Sequence, residues 1–194
     1  MRPRARVQPA HRPEHDVLRD LPRDDVERQQ QAGHGAEKRS DGDAREQSVA
    51  AGGSDVSPFV CGLRTDGGVE CQGDNTSGQL GNGSVGTGGG PVTVAGGHQF
   101  AAITAGLRSA CGVTATGQAY CWGANDHGQL GTGDSTSSSV PVAVAGGFSF
   151  RTVAISAGTV SAGGGTEPVC GITSADDLVC WGQGWPPRPT PVTW

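Results

Sequence analysis

A repeat of fifty residues constrains the fold of this chain more than any other feature. The segment Cys111-Gly-Val-Thr-Ala-Thr-Gly-Gln-Ala-Tyr-Cys121 has counterparts at Cys61–Cys71 and Cys170–Cys180, each with the same cysteine spacing. The first two copies begin 50 residues apart, and the third begins 59 residues after the second. A fixed period of this size indicates stacked or radially arranged structural units.

Each unit is predicted to contain four short strands. Residues 111–114 and 118–122 form a hairpin if 115–117 is a three-residue loop with its glycine in the left-handed conformation. Two further strands are predicted at 141–144 and 150–155. Four short strands in about fifty residues is the content of one β-propeller blade.

The repeat does not extend over the whole chain. Residues 1–49 hold 20 of the 33 charged residues, 3 of the 34 glycines and none of the cysteines or aromatic residues. Such a segment buries too little apolar surface to offset its chain entropy. We therefore expect a disordered charged leader over 1–50, for which a misassigned start codon is the alternative. The repeat region is expected at 51–194, with units near 54–105, 106–157 and 158–194.

Composition and motifs exclude several classes of function. The formal net charge of −5 argues against binding duplex nucleic acid through its phosphates. The sequence contains no apolar run of about 18 residues, which is the length that a membrane-spanning helix requires. A GxGxxG match at Gly81–Gly86 is followed by more glycines and a proline instead of a helix, so it is not a dinucleotide site. The sequence therefore predicts no enzyme, cofactor or metal site.

The predicted hairpin register places the two cysteines of each unit opposite each other. Facing residues have Cα atoms about 4.5–5.5 Å apart, which is within disulfide range. We predict the pairs Cys61–Cys71, Cys111–Cys121 and Cys170–Cys180, which favour an extracellular or cell-surface protein although no signal peptide is visible. The alternative is buried free thiols in a reducing cytoplasm.

The segment from Trp122 to Gly131 reads Trp-Gly-Ala-Asn-Asp-His-Gly-Gln-Leu-Gly and resembles the regulator of chromosome condensation repeat. The first unit lacks only the tryptophan, replaced by Gln72, and the third keeps only Trp181-Gly182. The hairpin between cysteines resembles the bacterial branch of the family. The resemblance implies a seven-bladed propeller, so we expect an all-β partial propeller of about two and a half four-stranded blades. The recurring residues expected to pack the blades are Trp122, Trp181, Leu80 and Leu130.

The family resemblance implies a non-catalytic interaction module that binds a protein partner through blade loops. Loops rich in glycine, asparagine and serine allow a partner to approach the backbone closely. The candidate partner-binding residues are Asp74, Asn75, Asn125, Asp126 and His127. Alternatives are a guanine-nucleotide exchange factor for a small GTPase and a truncated, non-functional open reading frame. Because open sheet edges invite association, an incomplete ring predicts either self-association that completes a propeller or a truncated gene product.

Overall fold

A computed structural model describes residues 46–156, 160–161, 164–165 and 167–192. The described residues form fourteen β-strands and contain no α-helix. Most of the predicted leader, up to residue 45, lies outside the described residues. The strands are β1 (Glu46–Ser54), β2 (Ser57–Arg64), β3 (Val69–Asn75), β4 (Gly86–Thr93), β5 (Phe100–Ala105), β6 (Ser109–Thr114), β7 (Ala119–Gly123), β8 (Ser138–Ala143), β9 (Phe150–Ile155), β10 (Val160–Ser161), β11 (Gly164–Gly165), β12 (Pro168–Thr173), β13 (Leu178–Gly182) and β14 (Thr190–Pro191).

Twelve of these strands form three four-stranded antiparallel sheets. Blade 1 has the order β1-β2-β3-β4, blade 2 has β5-β6-β7-β8, and blade 3 has β9-β12-β13-β14. The small β10–β11 hairpin lies between the first and second strands of blade 3 in the sequence. The predicted all-β partial propeller is confirmed, with a third blade that has all four strands.

The blades are offset by one strand from the predicted repeat units. Phe100–Ala105 and Phe150–Ile155, which end the first two units in the sequence, are the first strands of blades 2 and 3. The repeat period is the same in either frame, so sequence periodicity does not show where a sheet begins. Blade 3 gains its first strand in this way, and the short β14 supplies its fourth.

The register of the central hairpins agrees with the sequence prediction. In blade 2, Cys111 lies opposite Cys121 and Val113 lies opposite Ala119. The loop glycine Gly117 has a φ of 84°, and the equivalent position in blade 3 is Asp176 with a φ of 70°. Glycine lacks a Cβ and aspartate tolerates the left-handed region, so both residues close the same tight loop.

Each blade contains one disulfide between its second and third strands. The bonds are Cys61–Cys71, Cys111–Cys121 and Cys170–Cys180, with Cα–Cα distances of 4.1, 4.0 and 4.1 Å. All three lie at facing positions of the hairpin register. The predicted pairing is therefore the one that the structure contains.

Two apolar cores lie between the blades. The face of each sheet that carries the disulfide, which we call the trailing face, points towards the next blade in blades 1 and 2. The opposite sheet face, the leading face, presents Phe100 and Trp122 in blade 2 and Phe150 and Trp181 in blade 3. The core between blades 1 and 2 joins Leu63, Val69 and Leu80 to the first aromatic pair, and the core between blades 2 and 3 joins Val113, Ala119 and Leu130 to the second.

A glycine beneath each phenylalanine makes this packing fit. A Cβ added at Gly112 or Gly171 would overlap the ring of Phe100 or Phe150, respectively. The ring therefore lies flat on its own sheet and extends the apolar leading face. Within the described part of the chain, no helix is present that would be long and apolar enough to cross a membrane.

Candidate interaction surface

Three loops follow the third strands of the blades and form one continuous edge, which we call the loop ridge. It comprises residues 76–85, 124–137 and 183–189, which lie after β3, β7 and β13. The N–H of Gly83 donates to the carbonyl of Ser139 at 2.9 Å, and the N–H of Gly133 donates to that of Pro187 at 3.0 Å. Each of the first two loops is thus hydrogen-bonded to the following blade, which fixes the three loops relative to one another.

A buried asparagine organises each of the first two loops. The Oδ1 atom of Asn125 accepts from the N–H of Leu130 at 2.8 Å, and its Nδ2 donates to the carbonyls of Asp134 and Thr136, both at 3.1 Å. Asn75 makes the equivalent bond from its Oδ1 to the N–H of Leu80 at 3.0 Å. Asn75 and Asn125 are predicted to contact a partner, and the structure places both side chains in buried positions with their amides hydrogen-bonded to the loops. These bonds hold the shape of the first two loops.

The glutamine of each Gly-Gln-Leu-Gly segment joins the loop ridge to the next blade. The Oε1 atoms of Gln79 and Gln129 accept from loop N–H groups at 2.8 and 2.9 Å. Their main-chain carbonyls accept from the indole N–H of Trp122 at 2.9 Å and of Trp181 at 3.0 Å. The two tryptophans therefore pack between blades, each against the loop of the preceding blade.

Of the remaining predicted residues, Asp126 and His127 lie on the ridge, and Asp74 lies beside it near the end of β3. Asp126 is exposed and forms an ion pair with Arg108 at 2.7 Å, and His127 is half-buried. Asp74 accepts from the Gln79 amide at 2.6 Å and is also half-buried. Asp126 and His127 are thus the two predicted residues whose side chains are most available to a partner.

Hydrogen bonds within the second loop lower the pKa of one exposed carboxyl group. The N–H of Thr136 and the hydroxyl of Thr132 donate to Asp134 at 3.0 and 2.9 Å. These two bonds, the backbone bond first, lower the pKa of Asp134 below its ordinary value of 3.8. Asp134 therefore presents a negative charge on the ridge over a wide pH range.

The third loop adds an exposed aromatic ring and a cation. The side chain of Trp185 is 40% exposed, and Arg188 is exposed three residues later. Sequence comparison between units did not identify either residue as a surface contact, because neither has a counterpart in the other two units. The sequence feature that could have drawn attention to both residues is the absence of the Gly-Gln-Leu-Gly pattern from the third unit.

A buried carboxylate joins blades 2 and 3 and was not found from the sequence. Glu167 is 1% exposed and accepts from the N–H of Arg108 at 2.8 Å, from Gln129 Nε2 at 3.1 Å and from Ser109 Oγ at 3.4 Å. The equivalent positions in the other units carry arginine and proline, so no repeat pattern marks it. It connects the loop ridge to the core between the blades.

No metal centre is evident in the part of the chain that the structure describes. Those residues contain no group of three or more histidine, cysteine, aspartate or glutamate side chains arranged around a common point. The ridge is a polar surface with both charge signs and one exposed indole.

Models of the regulator of chromosome condensation (RCC1) repeat match the chain twice, at residues 116–161 and 100–129. No curated protein sequence matches it. Human WBSCR16 superposes with a TM-score of 0.66 at 22% identity, covering 79% of this chain and 39% of that protein. Yeast RCC1 (Prp20) superposes with a TM-score of 0.62 in its complex with Kap60 at 18% identity, covering 77% of this chain and 37% of Prp20. A second structure of Prp20p from Saccharomyces cerevisiae gives 0.63, also at 18%, and covers 77% and 38%.

These likenesses concern the fold. The chain spans less than two fifths of the length of each of these three solved structures. Three blades of the same type therefore recur within larger proteins.

Proposed function

Because this chain carries repeats of the regulator of chromosome condensation family, we propose that it is a non-catalytic module that binds a protein partner through the loop ridge. The observation that carries the proposal is the internal bonding of the ridge. Buried Asn75 and Asn125 fix the first two loops, and the exposed side chains stand on that fixed backbone. A preorganised surface loses less conformational entropy when it binds.

The chemistry of the ridge fits a protein partner. It combines exposed carboxylates at Asp126 and Asp134 with a cation at Arg188 and an indole ring at Trp185. Tryptophan and arginine are enriched among the residues that contribute most to binding between proteins. Prp20, which has the same fold, was solved bound to Kap60, and its binding to Gsp1p and histones is described. A protein partner for this chain is therefore in keeping with both its surface and its fold.

The cysteines support a proposal about the compartment. Three disulfides are consistent with an oxidising environment, where such bonds persist. We infer that the module acts outside the cytoplasm, at the cell surface or beyond it.

Site-specific crosslinking of the full chain tests the proposal. A photoreactive amino acid replaces His127 on the ridge in one variant and exposed Gln118, on a hairpin loop away from the ridge, in the other. In native cells we expect a discrete crosslinked protein from position 127 only. That protein, once purified, should bind the wild-type chain and lose at least tenfold in affinity when Asp126 is replaced by lysine. Equal crosslinking from both positions, or none, contradicts the proposal and favours a non-functional reading frame.

Exchange of guanine nucleotide on a small GTPase is the second candidate, favoured by the likeness to yeast RCC1. Its test is the release of fluorescent GDP from purified Gsp1p, with Prp20 as the positive control. Acceleration that depends on the amount of added chain and is lost in a ridge variant would establish exchange. Release at the intrinsic rate would leave the binding module as the function.

A further inference from the structure

We propose that a cleft between blades 1 and 2 is a second binding site, and that its ligand is a neutral sugar bound as a single pyranose ring. The cleft has a volume of about 220 Å³ and lies where the loop between β2 and β3 meets the segment that joins β4 to β5. We call it the hairpin cleft. Its floor is formed by the buried side chains of Val69, Val94 and Phe100. The polar side chains on its rim are Asp66, Thr93, His98 and Gln99.

The hairpin cleft and the loop ridge lie at opposite ends of blade 1. Strand β3 begins at Val69, which lines the cleft, and ends at Asn75, beside the first loop of the ridge. A strand rises about 3.3 Å per residue, so the seven residues of β3 separate the two places by about 20 Å. A small ligand in the cleft therefore leaves the ridge free for the proposed protein partner.

Three side chains on the rim have hydrogen-bonding groups that the protein itself does not use. Within the part of the chain that the structure describes, the hydroxyl of Thr93, the imidazole of His98 and the amide of Gln99 form no hydrogen bond with another residue. These groups offer both donors and acceptors around one cavity with an apolar floor. Such a combination, an apolar surface with a few convergent polar groups, is typical of sites that bind small molecules.

Packing holds the imidazole of His98 in place at the cleft. Its ring centroid lies 4.0 Å from that of Tyr120 and 5.7 Å from that of Phe100. The ring also lies against Gly96, where an added Cβ would come within 2.8 Å of two imidazole atoms. Because the ring is positioned before a ligand arrives, binding costs little side-chain entropy at this residue.

The charges at the cleft favour a neutral ligand. The carboxylate of Asp66 would repel an anion. Both of its oxygens already have partners, the N–H of Gly68 at 2.9 Å and the guanidinium of Arg64 at 3.4 Å, so a cation would have to compete with Arg64. A hydroxyl group can still donate to a remaining lone pair of the carboxylate. A sugar supplies such hydroxyls, and the C–H groups of its ring suit the apolar floor.

The equivalent place between blades 2 and 3 carries less polar side chains, fifty positions further along the chain. The residues that stand there for Asp66, Thr93, His98 and Gln99 are Thr116, Ala143, Phe148 and Ser149. Two of the four polar groups are thus lost, and the other two side chains are shorter. Gln118 also replaces Gly68, which lines the cleft without a side chain. Because the blades pack in the same way at both places, the fold itself does not require the rim of the hairpin cleft, whereas a ligand would.

The test is a titration of the full, disulfide-bonded chain followed by the amide signals in its NMR spectrum. The ligands are the methyl glycosides of glucose, galactose, mannose and N-acetylglucosamine, with propylammonium and acetate as charged comparators. We expect at least one glycoside to shift the amide signals of Gly68 and Gly97 in a saturable way and to leave that of Asp126, on the loop ridge, unchanged. No saturable shift with any of the four glycosides, or tighter binding of propylammonium or acetate at these amides, would overturn the proposal.

Two variants with residues taken from the equivalent place locate the binding. Gly68→Gln fills the cleft, and the double variant Thr93→Ala with His98→Phe keeps its shape but removes two polar groups. Each should weaken binding of the glycoside at least tenfold. Gln118→Ala, at the matching position of the next hairpin loop, is the control and should leave the affinity unchanged.

Folding of each variant is checked by its three disulfides and its circular dichroism. A Cβ at Gly68 would lie 3.1 Å from Oδ1 of Asp66, so this substitution needs a small movement of that side chain. If Gly68→Gln does not fold, the double variant decides the question alone. Equal affinity in the folded double variant and the wild-type chain, or an equal loss in Gln118→Ala, would reject the hairpin cleft as the site.

Discussion

The indole N–H of Trp122 donates to the main-chain carbonyl of Gln79, in the preceding blade, at 2.9 Å. Trp181 and Gln129 repeat the bond at 3.0 Å in the next pair of blades. One bond thus joins the two most recognisable parts of the repeat, the tryptophan and the Gly-Gln-Leu-Gly loop. The residues of the sequence motif therefore form a contact between neighbouring blades. Because that contact includes the loop glutamine, the position of the loop ridge depends on how the blades pack.

Replacement of Trp122 by phenylalanine is expected to destabilise the protein while its apolar surface is largely retained. The substitution leaves the buried carbonyl of Gln79 without its donor, which costs about 1–3 kcal/mol in the free energy of unfolding. Urea denaturation of the two proteins measures the difference. Trp185→Phe is the control, since that ring is 40% exposed and should tolerate the change. Equal losses in both variants would contradict a role for the hydrogen bond.

The pairing of Glu167 with Gln129 can be tested by exchanging the two residues. In Glu167→Gln, the new side-chain NH2 group faces the donor Nε2 of Gln129, so this hydrogen bond is lost. We expect the free energy of unfolding to fall by about 1–3 kcal/mol. Adding Gln129→Glu restores a donor opposite an acceptor and should recover at least half of that loss, because residues in direct contact are energetically coupled. Losses in the two single variants that simply add in the double variant would argue against the contact.

The disulfides are expected to differ in their order of reduction. Cys170 is half-exposed, whereas Cys111 and Cys121 are fully buried. With increasing reductant, alkylation and mass spectrometry should detect opening of Cys170–Cys180 first. Loss of each bond is expected to lower the free energy of unfolding by about 2–3 kcal/mol, since each closes a short loop. Six thiols that react without reductant, in protein exported to an oxidising compartment, would refute the pairing.

Asp134 is expected to titrate below its ordinary pKa of 3.8. Donation from Thr136 N–H and the Thr132 hydroxyl favours its charged form, so the folded-state pKa is lower than the unfolded one. The resulting stability is present above about pH 3.8 and is lost as the pH falls through the folded-state pKa. Carboxyl-carbon NMR measures the midpoint, which should rise in Thr132→Val. A midpoint at or above 3.8 in the wild-type protein would contradict this account.

The candidate site was predictable only in part. The repeated Asn and Gln-Leu pattern located the loops, but it did not show which residues of the motif are exposed. Asn125 is fully buried and Asp126 beside it is exposed, a difference set by how the loop folds over Leu130. Glu167 and Trp185 were not found by comparing the units, because neither residue recurs in another unit and the comparison identifies only residues that recur.

Local chemistry in the sequence determined the hairpins by itself. The spacing of the cysteines and a loop residue that tolerates a positive φ, such as Gly117 or Asp176, fix the register within a few residues. Tertiary structure alone decided which strand begins each blade and which sheet faces are covered. Ala119 and Leu178 hold the same register position, yet one is buried by Phe150 and Trp181 and the other is half-exposed. Burial depends on a neighbouring sheet that is distant in the chain, and local sequence patterns carry no information about that contact.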